Sequence, residues 1–378
     1  MRIAVNTRLL LAGRLDGIGH FTAETLRRIV IAHPEHNFFF LFDRKPDSQF
    51  LFAPNVHPLV LLPQARHPVL WYMFFEWSVT RTLRKYKIDL FLSTDGWLSL
   101  RTAVPTLTVI HDINFEHDPD YLRPSHQRYM KHFFPRFATK AERVATVSEF
   151  SKKDIMETYH IDADKIDVVY NGSNSFYKPH SEEENKSTRD IYCDGKRFFL
   201  FVGTIQKRKN LANTLLAFEN YRTSHPSGGE KMLVVGGRYK WDDEMTQALD
   251  SMRFKDDVIF MGHVDSDALS LLMSASIALV YVSFFEGFGI PIIEAFQAET
   301  AVITSTLTSM PEVAGDAAML ANPYSVDDIA SCMATLATDE ETRNRYIALG
   351  RQRRTIFSWD RSASLLWDSL MRVKNAES

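Results

Sequence analysis

Apolar residues along this chain come in short runs separated by longer amphipathic stretches. That alternation predicts strand–helix–strand units around mainly parallel sheets. In the first half the runs predict strands over Ile3–Asn6, Asn37–Phe42, Leu59–Leu62, Ile88–Ser93, Thr106–Ile110, Val144–Val147 and Ile166–Val169. The pattern stops over the polar run Ser181–Asp190 and then restarts. Strands are expected again over Phe198–Val202, Met232–Val235, Val258–Met261, Ile277–Val282, Val302–Thr304 and Met319–Ala321. The restart predicts two α/β domains, 1–178 and 196–359, joined by a charged linker at 179–195 and followed by a last helix at 360–378. A length of 378 residues, beyond what one core usually serves, agrees with two domains.

In open parallel sheets ligands bind outside the carboxyl ends of the strands, so chemistry is sought in the loops that follow them. One such loop, Gly203-Thr204-Ile205-Gln206-Lys207-Arg208-Lys209-Asn210, brings a strand-end glycine, several cations and the start of a helix together. Free N–H groups and positive side chains converging there suit a phosphate, although a solvated basic turn has the same composition. A second loop runs from Ser283 to Ala295 and contains Glu286, Gly287, Phe288, Gly289, Pro291 and Glu294. Gly287 and Gly289 permit tight turns, and Glu294 is expected in the first turn of a helix, where its dipole favours a carboxylate. Glu286 has no helix to stabilise and is the stronger candidate for a ligand contact. A third loop, after Thr106–Ile110, presents His111, an imidazole able to donate a hydrogen bond or move a proton near neutral pH. Gly17 and Gly19 open a helix after the first strand, a weak sign of close ligand approach.

Composition narrows the partners. Lys plus Arg (44) nearly balances Asp plus Glu (47), a net charge of −3, so nothing points to nucleic acid. The two cysteines, Cys193 and Cys332, fall outside metal or redox spacings and read as reduced thiols. The amino terminus leads directly into a strand without the pattern of a signal peptide, so a cytoplasmic protein is expected. Asp265-Ser266-Asp267 could hold a metal, but a helix cap explains the two carboxylates as well, and no metal is expected. Within His67–Lys87, residues Trp71, Phe74, Phe75, Val79 and Leu83 share one helical face beside Arg81, Arg84, Lys85 and Lys87. That face fits either docking on anionic lipid or the domain core.

Taken in order, the segments GIGHFTAETL, VIHDINF, TVSEFSKKDI, VVYNGSN, FVGTIQKRKNL, SFFEGFGIPIIEAF and MPEVAGDAAMLANP resemble glycosyltransferase family 4 along almost the whole chain. The resemblance implies the GT-B fold, two Rossmann-like domains facing across a cleft, and retaining transfer from a nucleotide-diphosphate sugar, GDP-mannose or a UDP-sugar, to an acceptor hydroxyl. It implies a glycan acceptor and a last helix that crosses back to the first domain, and if the 67–87 helix docks on lipid the acceptor is a lipid-linked glycan at the inner membrane face. By the same resemblance Glu286 contacts donor-sugar hydroxyls, Gly287, Phe288 and Gly289 offer N–H groups, and Glu294 holds the ribose. Arg208 and Lys209, after Gly203, neutralise the diphosphate. The backbone around Val264 reads the base, His111 faces the sugar and Gly19 lies beside the diphosphate. Three departures stand out: Thr204 where some relatives carry Arg, Glu299 where many carry Gly, a change that would strain a turn needing positive φ, and Ala301 where Pro is frequent. A non-catalytic sugar-nucleotide or glycan-binding protein and a sugar-nucleotide epimerase of similar fold remain open alternatives.

Overall fold

The computed structural model describes residues 1–13, 15–118, 122–237 and 240–375. It divides into two compact units, Met1–Gly172 with Ser358–Ser378, and Ser173–Phe357. Among the described residues every expected strand is present, most with ends shifted by one or two residues. The first unit holds β1 (Arg2–Asn6), β2 (Asn37–Phe42), β3 (Val56–Val60), β4 (Leu90–Ser93), β5 (Thr106–Val109), β6 (Arg143–Thr146) and β7 (Ile166–Val168). They form one parallel sheet in the order β3-β2-β1-β4-β5-β6-β7, with Val5 opposite Phe40 and Leu92 on its two sides. The expected strand at Leu59–Leu62 lies earlier, and Pro58 is accommodated within it because β3 is an edge strand with one side free of ladder bonds.

The second unit holds β8 (Phe198–Val202), β9 (Lys231–Val235), β10 (Val258–Gly262), β11 (Ala278–Tyr281), β12 (Ala301–Ser305) and β13 (Met319–Ala321). Its order is β10-β9-β8-β11-β12-β13, again parallel. Strands buried on both faces, such as Phe198–Val202, read as unbroken apolar runs because helices cover each side.

The boundary between units differs from the expected linker. Residues Glu182–Cys193 form a helix whose amino end is a capping box, with Ser181 and Glu184 each bonding the other's backbone. This helix belongs to the second unit, which begins at Ser173. The helix Trp359–Asn375 belongs to the first unit. Arg28 bonds Asp360 at 2.6 Å, Arg372 bonds Asp167 at 2.8 Å, and Trp367 stacks on His33 at 3.7 Å between ring centres.

The apolar face of the 67–87 segment resolves as core. Trp71, Phe74, Phe75, Val79 and Leu83 are at most 8% exposed and join the first unit's hydrophobic cluster. Each contributes roughly 1.5–3 kcal/mol by burial and cannot serve lipid. A π turn at Phe74–Val79 re-aims the chain within this helix, and the opposite face exposes Val69, Met73 and Trp77. No helix among the described residues is long and apolar enough to cross a membrane.

Candidate functional site

In the second sheet β8 and β11 are neighbours, while the chain leaving β8 turns toward β9 and that leaving β11 turns toward β12. Such a divergence opens a crevice at the carboxyl ends of the two strands. Both loops singled out by sequence leave from these ends. Gly203 closes β8, its N–H donating to Val235 O at 2.9 Å, and Gly236 closes β9, donating to Gly262 O at 2.7 Å. A Cβ on Gly236 would stand 1.9 Å from the Gly203 carbonyl oxygen, so only glycine fits there. Gly236 escaped the sequence reading, although the Gly236-Gly237 pair at a strand end was its signal.

Lys207–Lys209 form a single 3-10 turn, and Asn210 takes a left-handed conformation, φ 60°. Asn210 does not cap the next helix with its side chain. Its Nδ2 donates instead to Val282 O at 2.9 Å and Pro323 O at 2.7 Å, tying the β8 loop to the end of β11. Arg208 and Lys209 both converge on Glu286. Arg208 Nη1 lies 2.6 Å from Oε2 and Lys209 Nζ 2.7 Å from Oε1, while Lys209 also donates to the Tyr281 hydroxyl at 2.7 Å. Lys207 turns away to exposed Glu244. Burial alone would raise the Glu286 pKa, but the Arg208 and Lys209 charges overcome it and hold it down at about 2.

The loop bearing Glu286 is laced from the neighbouring turn. Glu286 N–H donates to Thr308 Oγ1 at 3.2 Å, and Ser309 Oγ donates to the carbonyls of Glu286 and Phe288 at 2.8 and 2.9 Å. Phe288 buries its ring edge-on against Phe357, so its side chain anchors the loop that carries Gly287. Gly289 has φ 102° at the start of the helix Ile290–Gln297, a conformation that favours glycine. Glu294 is therefore the fifth helical residue, past the first turn where sequence had placed it, and the dipole no longer accounts for it. It is 8% exposed. Burial pushes its carboxyl up to about 7, opposed only by a hydrogen bond from Tyr177. Tyr177 lay in the expected first domain and was missed. Val264 is half-buried, directly before Asp265, whose carboxylate accepts Ala268 N–H at 2.8 Å as a helix cap.

In the first unit His111 packs edge-on against Phe21 at 5.0 Å and meets Thr94 O at 2.9 Å through Nε2. A carbonyl only accepts, so the proton is on Nε2 and Nδ1 keeps its lone pair. Desolvation lowers the His111 pKa despite the nearby Thr94 carbonyl and Asp112. The lowered pKa favours the neutral imidazole, which can accept through Nδ1. The Gly19 N–H is taken by the Asp16 carboxylate at 2.8 Å, which caps the helix that Gly17 opens. Sequence reasoning passed over Arg8 and Asp95, whose side chains pair at 2.7 Å beyond the ends of β1 and β4. Polar residues directly after two apolar strands were the available signal.

Known proteins agree with this architecture. The chain matches the model of glycosyl transferases group 1 over residues 183–353 and that of glycosyltransferase family 4 over residues 16–175. It is similar to O-antigen chain mannosyltransferase B of Escherichia coli, 29% identical over 366 residues, covering 92% of this chain and 93% of that protein. It is likewise similar to O-antigen chain mannosyltransferase RfbU of Salmonella typhimurium, 29% identical over 290 residues and 76% of each chain. Among solved structures, sucrose-phosphate synthase from Thermosynechococcus elongatus shares the fold over 100% of both chains, with a TM-score of 0.79 at 16% identity. With one family model matching each half of a chain built from two parallel-sheet α/β units, this protein belongs to the group 1 glycosyltransferases of family 4 and is a glycosyltransferase of glycan synthesis.

Proposed function

We propose that the protein moves a mannosyl residue from a nucleotide-diphosphate mannose to a hydroxyl of a growing glycan, with retention of configuration. The observation that carries this reading is the Arg208–Glu286–Lys209 cluster at the β8/β11 switch point. Two cations held on one carboxylate form a preorganised cradle for charge that grows on a departing diphosphate. When the donor binds, its diphosphate oxygens take up the Arg208 and Lys209 donors, and Glu286 is released to accept from hydroxyls of the donor sugar. Glu294 accepts from the ribose, backbone N–H groups of Gly287–Gly289 line the diphosphate with Gly203 beside them, and the backbone at Val264 meets the base. On the first unit, neutral His111 is an acceptor for a sugar hydroxyl through Nδ1, near the helix that Gly17 and Gly19 open. Because side-chain cations supply the charge stabilisation, no metal is required. The mannosyl assignment draws on the O-antigen mannosyltransferases to which the chain is similar.

The test is release of nucleoside diphosphate from a panel of nucleotide sugars, with and without mannan oligosaccharide and with and without chelator. Acceptor-stimulated, chelator-resistant turnover of a mannosyl donor with retained configuration is expected, and no turnover of any donor overturns the reading. The exposed stripe Val69, Met73 and Trp77, flanked by Leu62 and by exposed Arg81, Arg84 and Lys85, supports a lipid-linked acceptor. Arg101 lies over the Trp77 ring at 5.9 Å. An apolar stripe with a cationic border suits the surface of an anionic bilayer. Binding to anionic vesicles should weaken with salt and with Trp77→Ser, while equal partition to neutral vesicles sinks the docking role.

A further inference from the structure

The first sheet has a switch point of its own. In the order β3-β2-β1-β4-β5 the chain leaves β1 toward β2 and leaves β4 toward β5, so the carboxyl ends of β1 and β4 border a crevice. Arg8 stands there with its side chain only 10% exposed, and its Nε donates to Asp95 Oδ2 at 2.7 Å. Its guanidinium carbon lies 5.1 Å from the centre of the Trp97 ring and 5.8 Å from that of Phe75. Asp95 is saturated by the protein. Its Oδ1 accepts from Asn6 Nδ2 at 2.7 Å, from Ser93 Oγ at 3.3 Å and from Trp97 N–H at 3.3 Å. The carboxylate is therefore an anchor that fixes the plane of the guanidinium.

What the anchor leaves over is informative. Among the described residues no group bonds the two terminal nitrogens of Arg8, and neither is sealed from solvent. Donors fixed in direction and reached by solvent can exchange water for the acceptor oxygens of a ligand. The charge of the spot narrows the ligand. Asp95 cancels Arg8, and a second buried carboxylate, Glu76, accepts from Leu100 N–H at 2.8 Å close by. Burial and then Glu76 raise the pKa of Tyr129, which Arg8 opposes, placing all three in one neighbourhood. The edge thus has little net positive charge for an anion and offers fixed N–H donors instead. Beside them stands half-buried Tyr129, stacked on Trp97 at 5.4 Å and on Phe133 at 4.3 Å. Directed donors beside a half-buried tyrosine match a saccharide, whose hydroxyl oxygens accept. The edge also holds His111, through the carbonyl of Thr94 between Ser93 and Asp95.

We propose that Arg8 is a specificity-determining residue for the acceptor, its terminal nitrogens donating to hydroxyl oxygens of a neutral terminal sugar packed beside Tyr129. This rests on the transferase reading above. Asp95 and Asn6 are positioning residues, because they act through Arg8.

The experiment uses the full chain, with mannobiose as the neutral probe and mannose 6-phosphate as its charged counterpart. Arg8→Gln and Arg8→Lys should each raise the acceptor KM for mannobiose by about tenfold or more while kcat moves far less, since one ammonium cannot reproduce a planar fork. In the wild-type chain mannobiose should shield Arg8 from phenylglyoxal, read by peptide mass mapping, and this arm stands even if both variants fail to fold. A KM within about twofold of wild type in folded variants, or absence of shielding, overturns the proposal. So does Arg8-dependent binding of mannose 6-phosphate about tenfold tighter than mannobiose, which would make this an anion site. Nucleoside diphosphate binding by the wild-type chain, followed in parallel, separates the two readings. Its absence counts against the transferase reading, whereas its presence beside unchanged Arg8 variants counts against this one alone.

Discussion

Glu286 and Glu294 leave the same loop and helix, are both buried, and stand in opposite electrostatic states. Glu286 lies between Arg208 and Lys209 and is held ionised, with its pKa down at about 2. Glu294 has a tyrosine hydroxyl and no cation, and burial raises it to about 7. The difference teaches that burial sets the size of the stake while the partner sets the sign. It also gives the two carboxylates opposite linkage. Glu286, with its folded pKa below the usual 4.5, stabilises the fold above that pH and loses this contribution as pH falls toward 2. Glu294, raised above 4.5, stabilises the fold at acid pH and loses its contribution as pH rises toward 7.

The largest expected effect comes from stripping the cations of Glu286. Lys209→Ala should lower kcat by about a hundredfold or more, because the charge it meets grows toward the transition state. Steady-state rates close to wild type would leave the cluster a structural ion pair. Glu286→Gln sharpens the point in two directions at once. Transfer should fall by about tenfold or more, while the freed cations bind nucleoside diphosphate more tightly, as titration would show. Weaker diphosphate binding in this variant would mean that Glu286 does not compete with phosphate for Arg208 and Lys209.

Glu294 should report through pH. Ionisation of a carboxylate near pH 7 strengthens its acceptance from ribose hydroxyls, so nucleotide affinity should rise by about threefold or more from pH 6 to pH 8. Glu294→Gln should flatten that slope and remove the loss of melting temperature between pH 5 and 8. An unchanged slope in the variant would assign the titration elsewhere.

The smallest effect belongs to a third carboxylate at the end of the same helix. Glu299 adopts φ 58°, the left-handed conformation that glycine accepts without cost. Its carboxylate is bound by Arg351 and, at 3.5 Å, by Arg354. Glu299→Gly relieves about 1 kcal/mol of strain and forfeits partly exposed ion pairs worth about 0–1 kcal/mol, so the melting temperature should barely move. A large drop would show that the arginine pair fastens this helix.

These contrasts mark how far the sequence could be read. Every expected strand was legible because each is an apolar run bounded by polar turns, and the Glu286 and Lys209 loops were legible because they follow such runs. The charged stretch at 179–195 was misread as a linker because its polarity masked a helix, although Ser181 and Glu184 already spelled a capping box. The helix beginning at Ile290 shifted Glu294 out of the first turn, since Gly289 rather than Pro291 sets its start.

Local patterning, a matter of neighbouring residues and period, determined by itself the two α/β units, the strand positions and the loops that carry chemistry. Tertiary structure alone decided what each charged side chain faces. Arg208 and Lys209 meet Glu286, Glu294 meets Tyr177, Arg8 meets Asp95 and Trp97, and the Trp71–Leu83 face turns inward. These pairings join residues far apart in the chain, and their electrostatics depend on distance and burial, which exist only once the sheets have formed.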